Sequence, residues 1–118
     1  MKIVSTVNVE YYDNDSVRVD YPVNVKTITI SEKNNDIFKI VPWTTGEAPT
    51  PRTINLVATG CEYLAIFTDN PVTITLNGAD MVVTSQFIIN GTGINTLTIT
   101  NSSTTLYAIV NVIVGNTI

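Results

Sequence analysis

The chain is expected to fold as an all-β protein, an antiparallel β-sandwich of the jelly-roll or immunoglobulin-like kind with about eight or nine strands. Three observations predict this. Thr, Asn, Val and Ile supply 62 of the 118 residues, while the good helix formers Leu, Ala, Glu, Lys and Arg are scarce. Apolar residues alternate with polar ones at a period of two along most of the chain, the pattern of strands with one buried face. Finally, turns rich in Asn, Gly, Pro and Ser interrupt this alternation about every 8 to 12 residues, the spacing of a sandwich or small barrel.

Taken in order, Val7, Val9 and Tyr11 alternate with polar residues up to Asp13-Asn14-Asp15-Ser16, and alternation resumes at Val17, Val19, Tyr21, Val23 and Val25, which predicts a hairpin. The apolar phase then moves to Ile28 and Ile30, so a bulge or bend is expected near Lys26 and Thr27. Glu32 to Asp36 reads as a polar loop and Ile37 to Val41 as a short strand. Residues 42–52 hold Pro42, Gly46, Pro49 and Pro51, which remove backbone donors and predict an irregular loop or arm. Strands follow at Thr53 to Thr59, Glu62 to Thr68, Val72 to Asn77, Met81 to Ile89, Ile94 to Thr100 and Thr105 to Val114. Asp69-Asn70-Pro71, Asn77-Gly78, Asn90-Gly91-Thr92-Gly93 and Asn101-Ser102-Ser103 supply the turn chemistry between them. Tyr63 to Phe67 and Leu106 to Val114 are apolar at consecutive positions, which marks both as central strands.

The length suits one domain spanning residues 1–118 with a single core. Charged residues make up only 14% of the chain, so Thr, Asn and Ser must cover much of the surface, and exposed edges or faces are expected to be occupied by partner subunits. A net charge of −4 with six Lys and Arg offers no cationic footprint for nucleic acid or anionic membrane. No apolar run approaches the ~20 residues of a membrane span, and the N-terminal residues turn polar before a targeting segment develops.

The residues of catalysis are thin. Histidine is absent and Cys61 is the single cysteine, which removes His-based triads, Cys/His zinc sites, CxxC pairs and intrachain disulfides. Cys61 is expected to be a reduced thiol. Asp13-Asn14-Asp15 has hard oxygen ligands, but a calcium loop starting at Asp13 would place Val17, Arg18 and Asn24 at its later ligand, Gly and Glu positions, so a structural turn is the reading and no metal or other cofactor is expected. Gly91-Thr92-Gly93 lacks the third Gly and the helix of a dinucleotide site. An enzyme is therefore not expected. Thr-Ile-Thr recurs at 27–29, 73–75 and 98–100, but with no common period, so each copy reads as a half-buried strand with Ile inward rather than as a repeat array.

What is left is binding. Trp43, Tyr11, Tyr12, Tyr21 and Tyr107 could offer flat apolar faces to sugar rings, which makes a glycan-binding module one alternative. Trp43 beside Pro42 reads either as the anchor of a docking arm or as a plug in its own sandwich. The strand from Leu106 to Val114, close to the chain end, could pair across subunits. Interface residues are therefore expected at Trp43, Pro49, Pro51, Arg52, Leu106 and Tyr107.

The run Asn70-Pro71-Val72-Thr73-Ile74-Thr75-Leu76-Asn77-Gly78, followed by Leu97-Thr98-Ile99-Thr100-Asn101-Ser102-Ser103, resembles the strand-and-turn texture of the small β-sandwich virion proteins of tailed bacteriophages. The resemblance covers mainly residues 54–115 and carries over no binding residue. It implies a non-enzymatic structural protein assembled into virions in the host cytoplasm. The expected role is that of a capsid decoration or cement protein, with a head-tail adaptor or tail component as the alternative. Its partners would be further copies of itself, in a homo-oligomer such as a trimer, and other virion proteins such as the major capsid protein.

Overall fold

The computed structural model of the chain describes residues 2–7, 10–13, 17–20, 24–43, 50–56 and 61–116. Every regular element among them is a β-strand, and all pairings are antiparallel. The chain divides into two compact units, Met1–Ile30 and Ser31–Ile118.

In the first unit, β1 (Lys2–Val7) pairs with β4 (Asn24–Thr29), and β2 (Glu10–Asp13) pairs with β3 (Val17–Asp20). The expected hairpin is present as β2 and β3, with Asp13 opposite Val17. Its turn residues Asn14 and Asp15 lie outside the described residues, as does Tyr21. The expected bulge at Lys26 and Thr27 is not found: β4 keeps one register on β1 from Lys2↔Thr29 to Val7↔Asn24. A strand with a partner along its whole length holds its register even where the apolar phase of its sequence changes.

The second unit is the sandwich. It contains β5 (Glu32–Ile40), β6 (Arg52–Thr53), β7 (Cys61–Thr68), β8 (Val72–Leu76), β9 (Ala79–Val83), β10 (Gln86–Ile94), β11 (Leu97–Asn101) and β12 (Ala108–Asn116). One four-stranded sheet has the order β5-β12-β7-β10 and the other the order β6-β11-β8-β9. Counted from β5, these orders are 1-8-3-6 and 2-7-4-5, so every connection except the β8 to β9 hairpin changes sheet. That is the winding of a jelly roll, which decides between the two kinds of sandwich the sequence allowed.

Between the sheets, Leu64 and Ile66 of β7 and Val110, Val112 and Val114 of β12 belong to one cluster with Val72 and Ile74 of β8 and Leu97 and Ile99 of β11. All of these are fully or almost fully buried. β7 and β12 are the central strands of their sheet, as their two-faced apolar sequences predicted. The Thr-Ile-Thr triplets 73–75 and 98–100 also behave as expected, with Ile74 and Ile99 buried between flanking threonines. The two triplets lie side by side, Ile99 opposite Ile74 and Thr98 opposite Thr75.

Several boundaries differ from the sequence expectation. Glu32 to Asp36, read as a loop, is the first half of β5, where Glu32, Asn34 and Asp36 alternate with exposed Lys33, Asn35 and Ile37. An edge strand tolerates this because its polar side chains find partners at the rim: Asn34 Nδ2 donates to Asn55 O at 3.0 Å, and Asp36 takes Arg52. The strand expected at Thr53 to Thr59 is only the short β6, with 54–56 outside any strand and 57–59 outside the described residues. The single strand expected at Met81 to Ile89 is two, β9 and β10, separated by a corner at Thr84-Ser85 that carries the chain from one sheet to the other. Asn90 to Gly93 is not a turn but part of β10, where the register on β7 shifts between Asn90 and Ile94 and Gly93 takes φ +91°. The strand expected at Ile94 to Thr100 is β11, which begins at Leu97, and the last strand begins at Ala108 rather than Thr105. The Asn77-Gly78 turn is a two-residue hairpin with φ of 49° and 85°, both positive as this turn demands.

Candidate interaction surface

The outward positions of the β5-β12-β7-β10 sheet follow from its register. Ile37 of β5 lies opposite Asn111 of β12, which lies opposite Phe67 of β7, which lies opposite Gln86 of β10. The next rows hold Lys39 opposite Ile109, and Asn35, Ile113, Ala65 and Ile88. Val41 and Tyr107 continue this face past the ends of β5 and β12, and Lys39 Nζ sits 4.3 Å from the centroid of the Tyr107 ring. Ile37, Val41, Phe67, Ile88, Tyr107 and Ile109 are thus apolar residues on one side of one sheet, and all six are exposed. Ile37, at 63% exposure, and Ile109, at 52%, are the most exposed large apolar residues of β5 and β12.

Trp43 stands at the end of this unit where β5 leaves its sheet. Its backbone N–H donates to Ser103 O at 2.9 Å and its indole Nε1–H donates to Asn101 O. Asn101 is itself buried, and its amide donates to Ile40 O at 3.2 Å and Leu106 O at 2.7 Å while accepting from Ser103 N at 2.9 Å. Ser103 Oγ in turn accepts from the backbone N–H groups of Thr105 and Leu106. One buried amide therefore ties the end of β5, the end of β11 and the approach to β12 together, and Trp43 is fastened to that knot while 39% of it stays exposed.

Arg52 faces the other side of β5. Its guanidinium contacts both carboxylate oxygens of Asp36, at 3.0 and 3.3 Å, and lies 4.7 Å from the centroid of the Phe38 ring. The ion pair is partly exposed, so its contribution is modest, at about 0–1 kcal/mol. An open cleft of about 350 Å³ lies beside it, lined by Phe38, Lys39, Ile40, Val41, Thr50, Pro51 and Arg52.

Of the residues singled out from sequence, Leu106 and Tyr107 are exposed at the approach to β12, at the same end as Trp43. Pro51 and Arg52 border the cleft. Pro49 and most of the 42–52 segment lie outside the described residues. Cross-subunit pairing through 106–114 is overturned: β12 already has β5 on one side and β7 on the other, so its backbone groups are used within the sheet. Sequence reasoning missed Ile37, Phe67, Ile88 and Ile109. The signal was there in β7 and β12, whose apolar residues fall on both faces, but it served only to mark central strands.

Cys61 is fully buried, and desolvation raises its thiol above the ordinary value, which keeps it protonated and poorly nucleophilic at neutral pH. Among the described residues, no three Cys, Asp or Glu side chains come together in a way that could hold a metal ion. No protein-family model matches this chain, and no curated protein is similar enough in sequence to count as a relative.

Proposed function

We propose that the protein is a structural virion component of a tailed bacteriophage, a decoration or cement protein that stabilises a shell by contacts with its own copies and with the shell subunits. The observation that carries this reading is the exposed apolar patch on the β5-β12-β7-β10 sheet around Ile37, Val41, Phe67, Tyr107 and Ile109, while Tyr63 and Ala65 on the same side of β7 are buried. A sandwich needs only the inward side of each sheet to be apolar, so a second apolar side on exposed positions is surplus to folding and suited to association. The low charge supports the same reading, because little repulsion opposes close packing of many copies. Many modest contacts acting together then stabilise the assembly by mass action.

The aromatic geometry favours protein contact over sugar binding. Lys39 covers the Tyr107 ring, and the Trp43 indole N–H is used inside the fold, so neither presents the free ring and free donor that a sugar would use. The test is electron microscopy of purified virions decorated with gold-labelled antibody against this chain. Regular label on heads is expected, and label confined to tails would overturn the shell role. Unlabelled particles from cells that contain the protein would overturn the reading.

A further inference from the structure

We propose that a second copy of this chain docks face to face on the β5-β12-β7-β10 sheet, with β5 of each copy lying over β10 of the other. The inference rests on the reading that the protein works by assembly, and it adds which surface is used and what covers it.

Area and charge on this face both support a self-contact. Its six exposed apolar residues have exposures between 37% and 63%. At roughly 150–250 Å² per large side chain, they leave on the order of 600 Å² of apolar surface in water, the upper end of what a monomer carries. A stable interface takes about 800 Å² from each partner, and the apolar patch alone supplies the larger part of that. The outward charges on β5 are Lys33 and Lys39, whereas the outward positions of β10 opposite β7 are Gln86, Ile88 and Asn90. A two-fold axis parallel to the strands puts β5 over the partner's β10 at the same height, so Lys33 meets Asn90 and Lys39 passes the start of β10, and neither meets another lysine. The same axis puts β12 over the partner's β7, where Ile109 and Phe67 pack across it. Two sheets approaching this way at about 10 Å repeat the aligned packing that already holds each sandwich together.

Sedimentation equilibrium of the full chain between about 1 and 100 µM tests this. The expected species is a dimer. Ile109→Lys and Ile37→Lys should each raise the dissociation constant, by about 100-fold or more at Ile109 on central β12 and by less at Ile37 on the edge strand β5. Both positions are exposed in the single chain, so melting curves close to wild type are expected and a folding defect is separable from lost association. Val82→Lys, an exposed position on the opposite sheet, should leave the dimer unchanged. A wild-type monomer at 100 µM overturns the proposal, as does a dimer broken by Val82→Lys and not by Ile109→Lys. Lys39→Glu tests the arrangement: a change within about threefold is expected because β10 carries no charge, whereas tightening beyond tenfold would mean that β5 faces β5. A dimer with unlabelled virions would overturn the virion role alone, and a monomer found on labelled virions would overturn the dimer alone.

Discussion

The two outer faces of the sandwich are built on the same core and have opposite chemistry. Behind β5-β12-β7-β10 the outward residues include Ile37, Phe67, Ile88 and Ile109. Behind β6-β11-β8-β9 they are mostly hydroxyls: Thr53, Thr98 and Thr75 beside Asp80 in one row, and Thr100 and Thr73 beside the exposed Val82 in the next. Thr75 Oγ1 donates to Asp80 Oδ1 at 2.6 Å, so the second face satisfies part of its own polar surface. The lesson is that burial dictates only the inward half of each strand. The outward half is free to vary, and where it is apolar some demand other than folding accounts for it.

If the faces differ only outside, the inward residues of both sheets should be worth the same. Ile66, under the apolar face, and Ile99, under the threonine face, are both fully buried in one cluster. Ile66→Ala and Ile99→Ala are each expected to cost about 3–4 kcal/mol by urea denaturation, from lost transfer energy and the cavity left behind. Costs that differ by more than about 2 kcal/mol would break the comparison, because one sheet would then carry the core and the other would merely cover it.

Much of this architecture was legible in the sequence, for local reasons. β7, β8, β11 and β12 announced themselves by period-two alternation or continuous apolar runs, and Asn77-Gly78 by the one dipeptide type that accepts two consecutive positive φ values. β5 was half hidden because an edge strand can be polar on both sides, and Glu32 to Asp36 has the composition of a loop. The corner at Thr84-Ser85 was hidden because it contains neither Gly nor Pro. The candidate surface was the least legible part. Whether an outward Ile is covered or open depends on which strands lie beside it, and the order β5-β12-β7-β10 joins segments from both ends of the sandwich. Trp43 was visible as an anchor, but its partner Asn101, 58 residues away, was read only as a turn residue.

Asn101 is where the two sheets are tied together. It ends β11, in the threonine sheet, and its side chain holds Ile40 O and Leu106 O at the ends of two strands of the apolar sheet. Asn101→Leu keeps the volume but leaves two carbonyls and the Ser103 N–H without their partner, and an expected loss of about 2–3 kcal/mol follows. Trp43 fluorescence reports the same event, since its indole N–H rests on the Asn101 carbonyl, and a shifted emission maximum in the folded variant is expected. Unchanged stability and emission would mean that the core alone fixes how this end closes.

The smallest effect gives the finest comparison of the two faces, because it changes one outward polar residue on each. Asn111 sits on β12 between Phe67 and Ile37, and its side-chain oxygen is buried with no hydrogen-bond partner among the described residues. Asn111→Val removes that oxygen and adds a β-branched side chain to an apolar row, so a gain of about 1 kcal/mol is expected. Thr98 holds the matching place on β11, between Thr53 and Thr75, and is only half buried. Thr98→Val keeps the shape and loses a hydroxyl near the surface, so a change within about 0.5 kcal/mol is expected. Thermal melts of the two variants decide the point. A clear gain at Asn111 with none at Thr98 would mean that the apolar face stands short of its apolar optimum for folding and keeps a polar atom for another reason; equal shifts would mean that both faces answer only to strand propensity.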